Sequence, residues 1–150
     1  MLSRVHPTQD SSTARQRRAL IEELSQDGYA LQHASAKFKS DKEVVLVAVA
    51  QDGYAFQYAS ELKDDKEVVL AAVKQNGDVL QYVSDKLKND KEVVLAAVAQ
   101  YGDALEHASV ELQNDNEVVL AAVAQDGLVL QYVSEEFKND KEVVLAAVAQ

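Results

Sequence analysis

A short stretch of sequence, DKEVVLAAVAQ at residues 90–100, recurs along this chain and constrains its fold more than any other feature. Closely similar stretches begin at Asp41, Asp65, Asp115 and Asp140, so the spacing is 24 residues once and 25 residues three times. A fixed short period is typical of tandem-repeat proteins, in which each unit packs only against its neighbours. The sequence therefore predicts a repeat array.

Each repeated stretch is predicted to be an α-helix. Asp90 is a preferred N-cap, and Glu92 places a negative charge at the end of the helix where the dipole favours one. The apolar side chains recur with the helical period and form one broad face, opposite Glu92, Ala96 and Ala99. That predicted face consists of Val93, Val94, Leu95, Ala97 and Val98.

A glycine follows each predicted helix. Because glycine just past the last helical residue commonly adopts the left-handed conformation, we predict that it ends the helix with a positive φ. This prediction applies to Gly53, Gly77, Gly102 and Gly127, and Gly28 is expected to cap the first helix.

The residues after each glycine are predicted to form a second, shorter helix. Val129, Leu130, Val133 and Phe137 have helical spacing, and Asn139 supplies the turn into the next long helix. The predicted fold is all-α, a right-handed α-solenoid of two-helix repeats of 24–25 residues. The predicted repeats span about 13–40, 41–64, 65–89, 90–114 and 115–139, with a half repeat at 140–150.

The N-terminal residues differ from the repeats. Residues 1–12 are polar, contain the only proline, Pro7, and are predicted to be disordered. Thr13 and Gln16 fit a capping box, so the first helix is predicted to begin there. The Arg- and Ser-rich composition of this segment resembles a transit peptide, which leaves organellar import open beside a cytoplasmic location as the default.

The net charge of −10 is unevenly distributed and bears on the class of partner. Residues 1–18 carry four arginines against Asp10, a balance of +3, so residues 19–150 carry −13. Such an acidic surface should repel nucleic acid and anionic membranes and attract a protein with a basic surface. The sequence has no cysteine, and no apolar run approaches the roughly 20 residues that cross a bilayer.

The repeat resembles the short tandem repeats of the domain of unknown function (DUF) 4116 family. The blocks that carry this resemblance are D-K-E-V-V-L-A-A-V-A-Q-x-G and the following G-x-x-L-Q-Y-x-S-x-x-L-K-N-D, and it covers about residues 19–150. More loosely, the 24–25-residue period is similar to that of leucine-rich-variant repeats, which form a right-handed superhelix of alternating helices. The resemblance implies an α-helical repeat, and it implies no activity and no catalytic residues.

Two ladders of equivalent positions lie four and five residues after each glycine, and we call these ten residues together the binding stripe. They are Gln32, His33, Gln57, Tyr58, Gln81, Tyr82, Glu106, His107, Gln131 and Tyr132. Equivalent positions of a solenoid stack into a continuous surface, and Tyr combines a large apolar area with a polar tip. The binding stripe is therefore a candidate site for an extended protein partner, although the same rings would also suit packing between repeats.

The last predicted helix carries Val144, Leu145 and Val148 at positions that a following repeat would bury. We expect either a longer array or the covering of this open end by another molecule, including a second copy of the chain. Leaving several such side chains in water would otherwise fray the helix.

Other candidate sites have simpler explanations. A third ladder, Ser35, Ser60, Ser84, Ser109 and Ser134, has His near it in only two repeats, so helix capping is favoured over a nucleophile. The acidic corners lack the glycine and distant Glu of an EF-hand loop, and the three histidines lack zinc-ligand spacing. No catalytic, metal-binding or cofactor-binding residue is predicted.

The sequence thus favours a non-catalytic scaffold that mediates protein–protein interaction. A structural accessory or linker subunit of a larger multiprotein assembly is the alternative, since the last helix offers an apolar surface. An enzyme is not expected.

Overall fold

A long α-helix occupies the first part of each repeat. The computed structural model describes residues 9–150, with side chains from Ser11 onward, and every regular element in this range is a helix. The long helices span Gln9–Leu24, Lys42–Gln51, Lys66–Gln75, Lys91–Gln100, Asn116–Gln125 and Lys141–Val148. The prediction of an all-helical tandem-repeat chain is confirmed.

The repeated aspartates begin the long helices as predicted. The Asp90 carboxylate accepts a hydrogen bond from the backbone N–H of Val93 at 3.1 Å, which satisfies one of the free donors of the first turn. Equivalent bonds, at 3.1–3.2 Å, are made by Asp41, Asp65, Asp115 and Asp140.

The first long helix begins earlier than predicted. It starts at Gln9, so the capping box at Thr13 and the predicted disorder of residues 9–12 are wrong. Pro7 is the only proline of the chain and precedes the helix, and no glycine lies between it and Leu24, so nothing in the sequence breaks the helix at residue 13. Residues 1–8, the rest of the predicted disordered segment, lie outside the described residues.

The second half of each repeat is divided in two instead of forming one helix. A 3₁₀ helix follows each glycine, at Gly28–His33, Gly53–Tyr58, Gly77–Tyr82, Gly102–His107 and Gly127–Gln131. A single helical turn comes next, at Ala36–Lys39, Ser60–Leu62, Asp85–Lys88, Val110–Gln113 and Glu135–Lys138. Between the two, Val83 and Ser84 are extended, and Ser84 Oγ caps the second piece by accepting from Leu87 N at 3.3 Å. Serine favours such a cap over a helix interior, and Ser109 makes the same bond in the fourth repeat.

The repeats pack in sequence order around one continuous core. Each long helix contacts the next long helix, and also the 3₁₀ helices of its own and the preceding repeat. In the fourth repeat Val93, Val94, Ala97 and Val98 are fully buried. The sequence analysis placed Leu95 on the apolar face and Ala96 on the opposite side of the helix. In the structure both side chains are half-buried, so the predicted edges of the buried face were wrong at these two positions.

The glycines do not adopt the predicted conformation, because no residue of the 9–150 range has a positive φ. Their role is close approach between repeats. A Cβ at Gly102 would lie 2.8 Å from the carbonyl oxygen of Ala122 and 2.9 Å from Oε1 of Gln125. Each of the other glycines likewise faces the carbonyl of an alanine near the end of the following long helix. The residue before the glycine has an extended backbone, and the long helix ends there.

Candidate protein-binding surface

The binding stripe lies on the 3₁₀ helices, except that Tyr132 directly follows the last one, and the first four of these helices pack against one another in order. None of its ten side chains is buried. His33, Glu106, Gln131 and Tyr132 are exposed, and the other six are half-buried. The stripe is therefore accessible along its length, more so toward the C-terminus.

At the N-terminal part of the stripe, the aromatic rings pack between repeats. Tyr58 meets Tyr29 of the preceding repeat edge to face, with ring centroids 5.3 Å apart, and Lys39 Nζ lies 5.9 Å from the centre of the Tyr58 ring. The Tyr29 side chain raises the pKa of Tyr58 to about 12. In this part of the stripe the rings pack between repeats, which is the alternative to partner binding that the sequence left open.

A carboxylate that the sequence analysis missed organises the middle of the stripe. Asp78 accepts hydrogen bonds from the Tyr54 hydroxyl at 3.0 Å and from Gln81 Nε2 at 2.8 Å. His107 Nε2 lies 3.6 Å from the same carboxylate and 3.4 Å from Glu106. The hydrogen bond to Asp78 also raises the pKa of Tyr54. Gln81 is thus held by a partner within the fold and His107 lies beside two carboxylates, and the missed signal was the Asp that follows the glycine in the third and fourth repeats.

The C-terminal part of the stripe is the most open. Tyr132 is 62% exposed, and Gln131 and Glu106 are exposed as well. A cavity of about 380 Å³ lies between the fourth and fifth repeats and is lined by members of the stripe and by core side chains. The pKa of Tyr101, near this region, is raised chiefly by the charge of Asp103.

On the long helices, cations of one repeat bridge to carboxylates of the next, and the sequence analysis did not identify these pairs. Lys91 Nζ lies 3.1 Å from Asp115 and 2.7 Å from Glu117. Lys42, Lys66 and Arg17 make the same pair of contacts to the cap Asp and the following Glu of the next helix. We call this set of pairs the ionic ladder. Its spacing of 23–26 residues along the chain was visible in the sequence, but which helix face carried it was not.

The serine ladder serves capping in part. Ser84 and Ser109 accept from the backbone N–H of Leu87 and Leu112, whereas Ser35 and Ser134 make no capping bond and Ser60 lies inside a 3₁₀ turn.

The predicted open-end residues lie on the outer side of the last long helix. Leu145 is 55% exposed and Val148 is 70% exposed, whereas Val144 is half-buried. Their equivalents in the fifth repeat differ, since Val119 and Val123 are fully buried.

Comparison with known proteins identifies one family. A family model described as "Domain of unknown function (DUF4116)" matches residues 24–63, 65–113 and 115–150. The middle match spans two of the long helices. No significant match was found among curated proteins or among solved structures. Within residues 9–150 no helix is both long and apolar enough to cross a membrane, and no group of three or more His, Cys, Asp or Glu is placed to hold a metal ion.

Proposed function

The chain belongs to the DUF4116 family of unknown function, and on that premise we propose that it is a non-catalytic α-helical repeat scaffold that binds another protein. One observation carries the proposal: the binding stripe keeps all ten side chains accessible on successive repeats, with Tyr132, Gln131 and Glu106 exposed. Accessible Tyr and Gln side chains in a row suit an extended peptide, because they combine apolar area with hydrogen-bonding groups.

The partner is proposed to present a basic surface. Residues 19–150 carry a net charge of −13, and the ionic ladder already engages Lys42, Lys66 and Lys91. Asp78, Asp103 and Glu106 lie in or beside the stripe. A complementary charge on the partner accelerates association and disfavours acidic competitors.

We further propose that the stacked repeats form a right-handed α-solenoid with a 24–25-residue period. Packing of each long helix on the next supports this arrangement. With neighbouring helices roughly 8–10 Å apart, the stack should be on the order of 45 Å long. Small-angle X-ray scattering would show this elongation, and a near-spherical profile would contradict it. An experimental structure would show the hand.

Selection of binding peptides tests the scaffold proposal. A displayed library of random 12-residue peptides would be selected against the full chain, and the binders would be measured against two variants. Gln131→Ala with Tyr132→Ala should abolish binding of most selected peptides. Val110→Ala, which also truncates an exposed apolar side chain but lies off the stripe, should leave it unchanged. Binders that tolerate the stripe variant and lose affinity with the Val110 variant would refute the proposal.

A second candidate function, a structural subunit of a larger assembly, is favoured by the exposed Leu145 and Val148. Lys141 stands where Lys42, Lys66 and Lys91 stand in their helices, and no carboxylate among the described residues pairs with it. Each of those lysines bridges to an Asp cap and a Glu two residues later. We therefore propose that this face packs against a helix that begins Asp-x-Glu.

A second copy stacked head to tail does not supply that chemistry. Gln16 and Arg18 of the first long helix stand where Asp41 and Glu43 stand in the next repeat. Arg18 would thus meet Lys141, and the like charges would repel each other.

Supplying the missing charges tests this second candidate. In sedimentation velocity, the variant Gln16→Asp with Arg18→Glu should associate head to tail at concentrations where the wild-type chain does not. Adding Lys141→Glu to that variant should reverse the association. If the double variant sediments like the wild type, or if Lys141→Glu has no effect on it, Lys141 does not recognise an Asp-x-Glu helix.

A further inference from the structure

The cavity between the fourth and fifth repeats combines three kinds of lining group. The core side chains Leu105 and Val133, slightly exposed, form an apolar wall, and Val129 lies fully buried behind it. The carboxylates of Asp103 and Glu106 lie along the same cavity. Tyr132 completes the lining and is largely exposed to solvent, so its ring is free to contact a ligand. The volume of about 380 Å³ falls within the range typical of small-ligand pockets, roughly 300–1,000 Å³.

The cavity lies at a junction that lacks two hydrogen bonds made at each of the two preceding junctions. The backbone N–H of Ser84 donates to the carbonyl of Lys63 at 3.0 Å, and that of Ser109 donates to the carbonyl of Lys88 at 2.9 Å. Their hydroxyls also donate across the junction, to Asp64 at 2.9 Å and to Asn89 at 2.6 Å.

At the junction of the fourth and fifth repeats, Gln113 and Asn114 stand where Lys88 and Asn89 stand at the preceding junction, and their side chains bond within the fourth repeat. Gln113 Nε2 donates back to the carbonyls of Glu106 at 3.1 Å and Ala108 at 3.0 Å, within its own repeat. Asn114 Nδ2 donates to the carbonyl of Val110 at 2.8 Å. Neither residue bonds to Ser134, and the cavity lies at this place.

The lining selects for one class of ligand. Two carboxylates disfavour an anion, and an uncharged apolar ligand would make no charge interaction with them. A cationic side chain with a hydrocarbon stem satisfies both parts, because its stem packs on the apolar wall while its charged head reaches the carboxylates. A guanidinium also stacks on a tyrosine ring and forms bidentate bonds with carboxylates, which favours arginine over lysine.

We propose that this cavity is a subsite for an arginine side chain of the partner protein. The proposal rests on the scaffold function and gives it a chemistry: the partner inserts one arginine between the fourth and fifth repeats. Glu106 and Asp103 bind its guanidinium, Tyr132 stacks against it, and Leu105 and Val133 contact its methylene groups.

The test titrates the full chain with Nα-acetyl-arginine amide and records methyl and aromatic NMR shifts of Leu105, Val129, Val133 and Tyr132. Nα-acetyl-norleucine amide serves as the uncharged control, and Nα-acetyl-glutamate amide as the anionic one. We expect saturable shifts at these residues with the arginine compound alone. Equal shifts with the norleucine compound, stronger shifts with the glutamate compound, or no saturation with any of the three would overturn the proposal.

Matched variants separate the subsite from general electrostatic attraction. Glu106→Gln should weaken the arginine compound by about threefold to tenfold, as expected for loss of a charged hydrogen-bond partner. Glu111→Gln removes the same charge from an exposed position of the same repeat outside the cavity and should change the affinity less than twofold. Equal losses in both variants would show that net charge alone attracts arginine.

The peptides selected on the binding stripe distinguish failure of the subsite from failure of the scaffold. If stripe-dependent peptides are found and replacing each of their arginines by norleucine leaves binding unchanged, the scaffold function stands and the arginine subsite is refuted. If no peptide depends on the stripe while the arginine compound still saturates the cavity, the cavity binds arginine but the scaffold function is refuted.

Discussion

At the residue scale, Gly102 sets the distance between two repeats by having no side chain. Its Cα lies against the carbonyl of Ala122, where a Cβ would come within 2.8 Å, and its N–H donates to Gln125 Oε1 at 2.6 Å. Any larger residue must push the following long helix away. Conformational freedom is not what this position requires, since its φ is not positive.

Substitution of Gly102 by Ala and by Asn separates these two explanations. We expect Gly102→Ala to lower the free energy of unfolding by about 1–3 kcal/mol, because the added methyl group overpacks the contact between repeats. Gly102→Asn should cost at least as much. A left-handed cap would rank them in the opposite order, since Asn tolerates that conformation better than Ala. Urea denaturation of the two variants gives the comparison.

Asp41 is a second case in which a single residue has a measurable consequence. Arg17 lowers the pKa of Asp41, and the N–H of Val44 acts in the same direction, whereas burial opposes them. A depressed carboxyl pKa stabilises the fold above the unfolded value of 3.8, and that contribution is lost as the pH falls through the folded pKa.

The isosteric Asp41→Asn variant tests this pH dependence. Asn still caps the helix but lacks the charge, so at pH 7 we expect it to be less stable by about 0.5–1 kcal/mol. The difference should shrink below pH 4 and vanish near pH 2, as judged from thermal unfolding. A difference that stays constant down to pH 2 would mean that the charge of Asp41 contributes nothing.

At the scale of the elements, the ionic ladder joins successive long helices but is broken at the last pair. Asn116 stands where Lys42, Lys66 and Lys91 stand in the other helices, so Asp140 and Glu142 have no cation from the preceding helix. The side chains of Asp140 and Glu142 are both exposed. The aspartates equivalent to Asp140 in the other repeats are half-buried.

Asn116→Lys should restore this step of the ladder. We expect a gain of about 0.3–1 kcal/mol in the free energy of unfolding at low salt, decreasing as salt screens the exposed pair. Ala99→Lys adds the same charge at an exposed helical position without a ladder partner and serves as the control. An equal gain in both variants, measured by urea denaturation at two salt concentrations, would attribute the effect to net charge.

At the scale of the whole molecule, burial depends on having a repeat on both sides. Val123 and Val148 occupy equivalent positions, yet Val123 is fully buried and Val148 is 70% exposed. The same side chain therefore contributes very differently to stability at the two places.

Truncating each valine measures that difference. Val123→Ala should lower the free energy of unfolding by about 1.5–3 kcal/mol, because the buried methyl groups are lost from the core. Val148→Ala should change it by less than about 0.5 kcal/mol. A large effect of Val148→Ala in a monomeric sample would show that its side chain is covered in solution.

The sequence by itself determined the repeat, the helix starts at Asp41, Asp65, Asp90 and Asp115, and most of the buried valine face. These features depend on interactions within about ten residues of the chain, and capping chemistry and the helical period describe such interactions directly. The sequence alone was misleading where two local rules compete. The segment after each glycine has helical spacing but is split in two, and in the third and fourth repeats the serine within it caps the new turn.

Only the tertiary structure decided how each repeat meets the next. The close approach at Gly102, the pairing of Lys91 with Asp115, and the open junction beside Tyr132 all join residues more than 20 positions apart or in different repeats. These contacts depend on the rotation and translation between successive units, to which every side chain of the interface contributes. At one junction Asn89 accepts from Ser109 of the following repeat, whereas at the next the identical Asn114 bonds within its own repeat, as does Gln113.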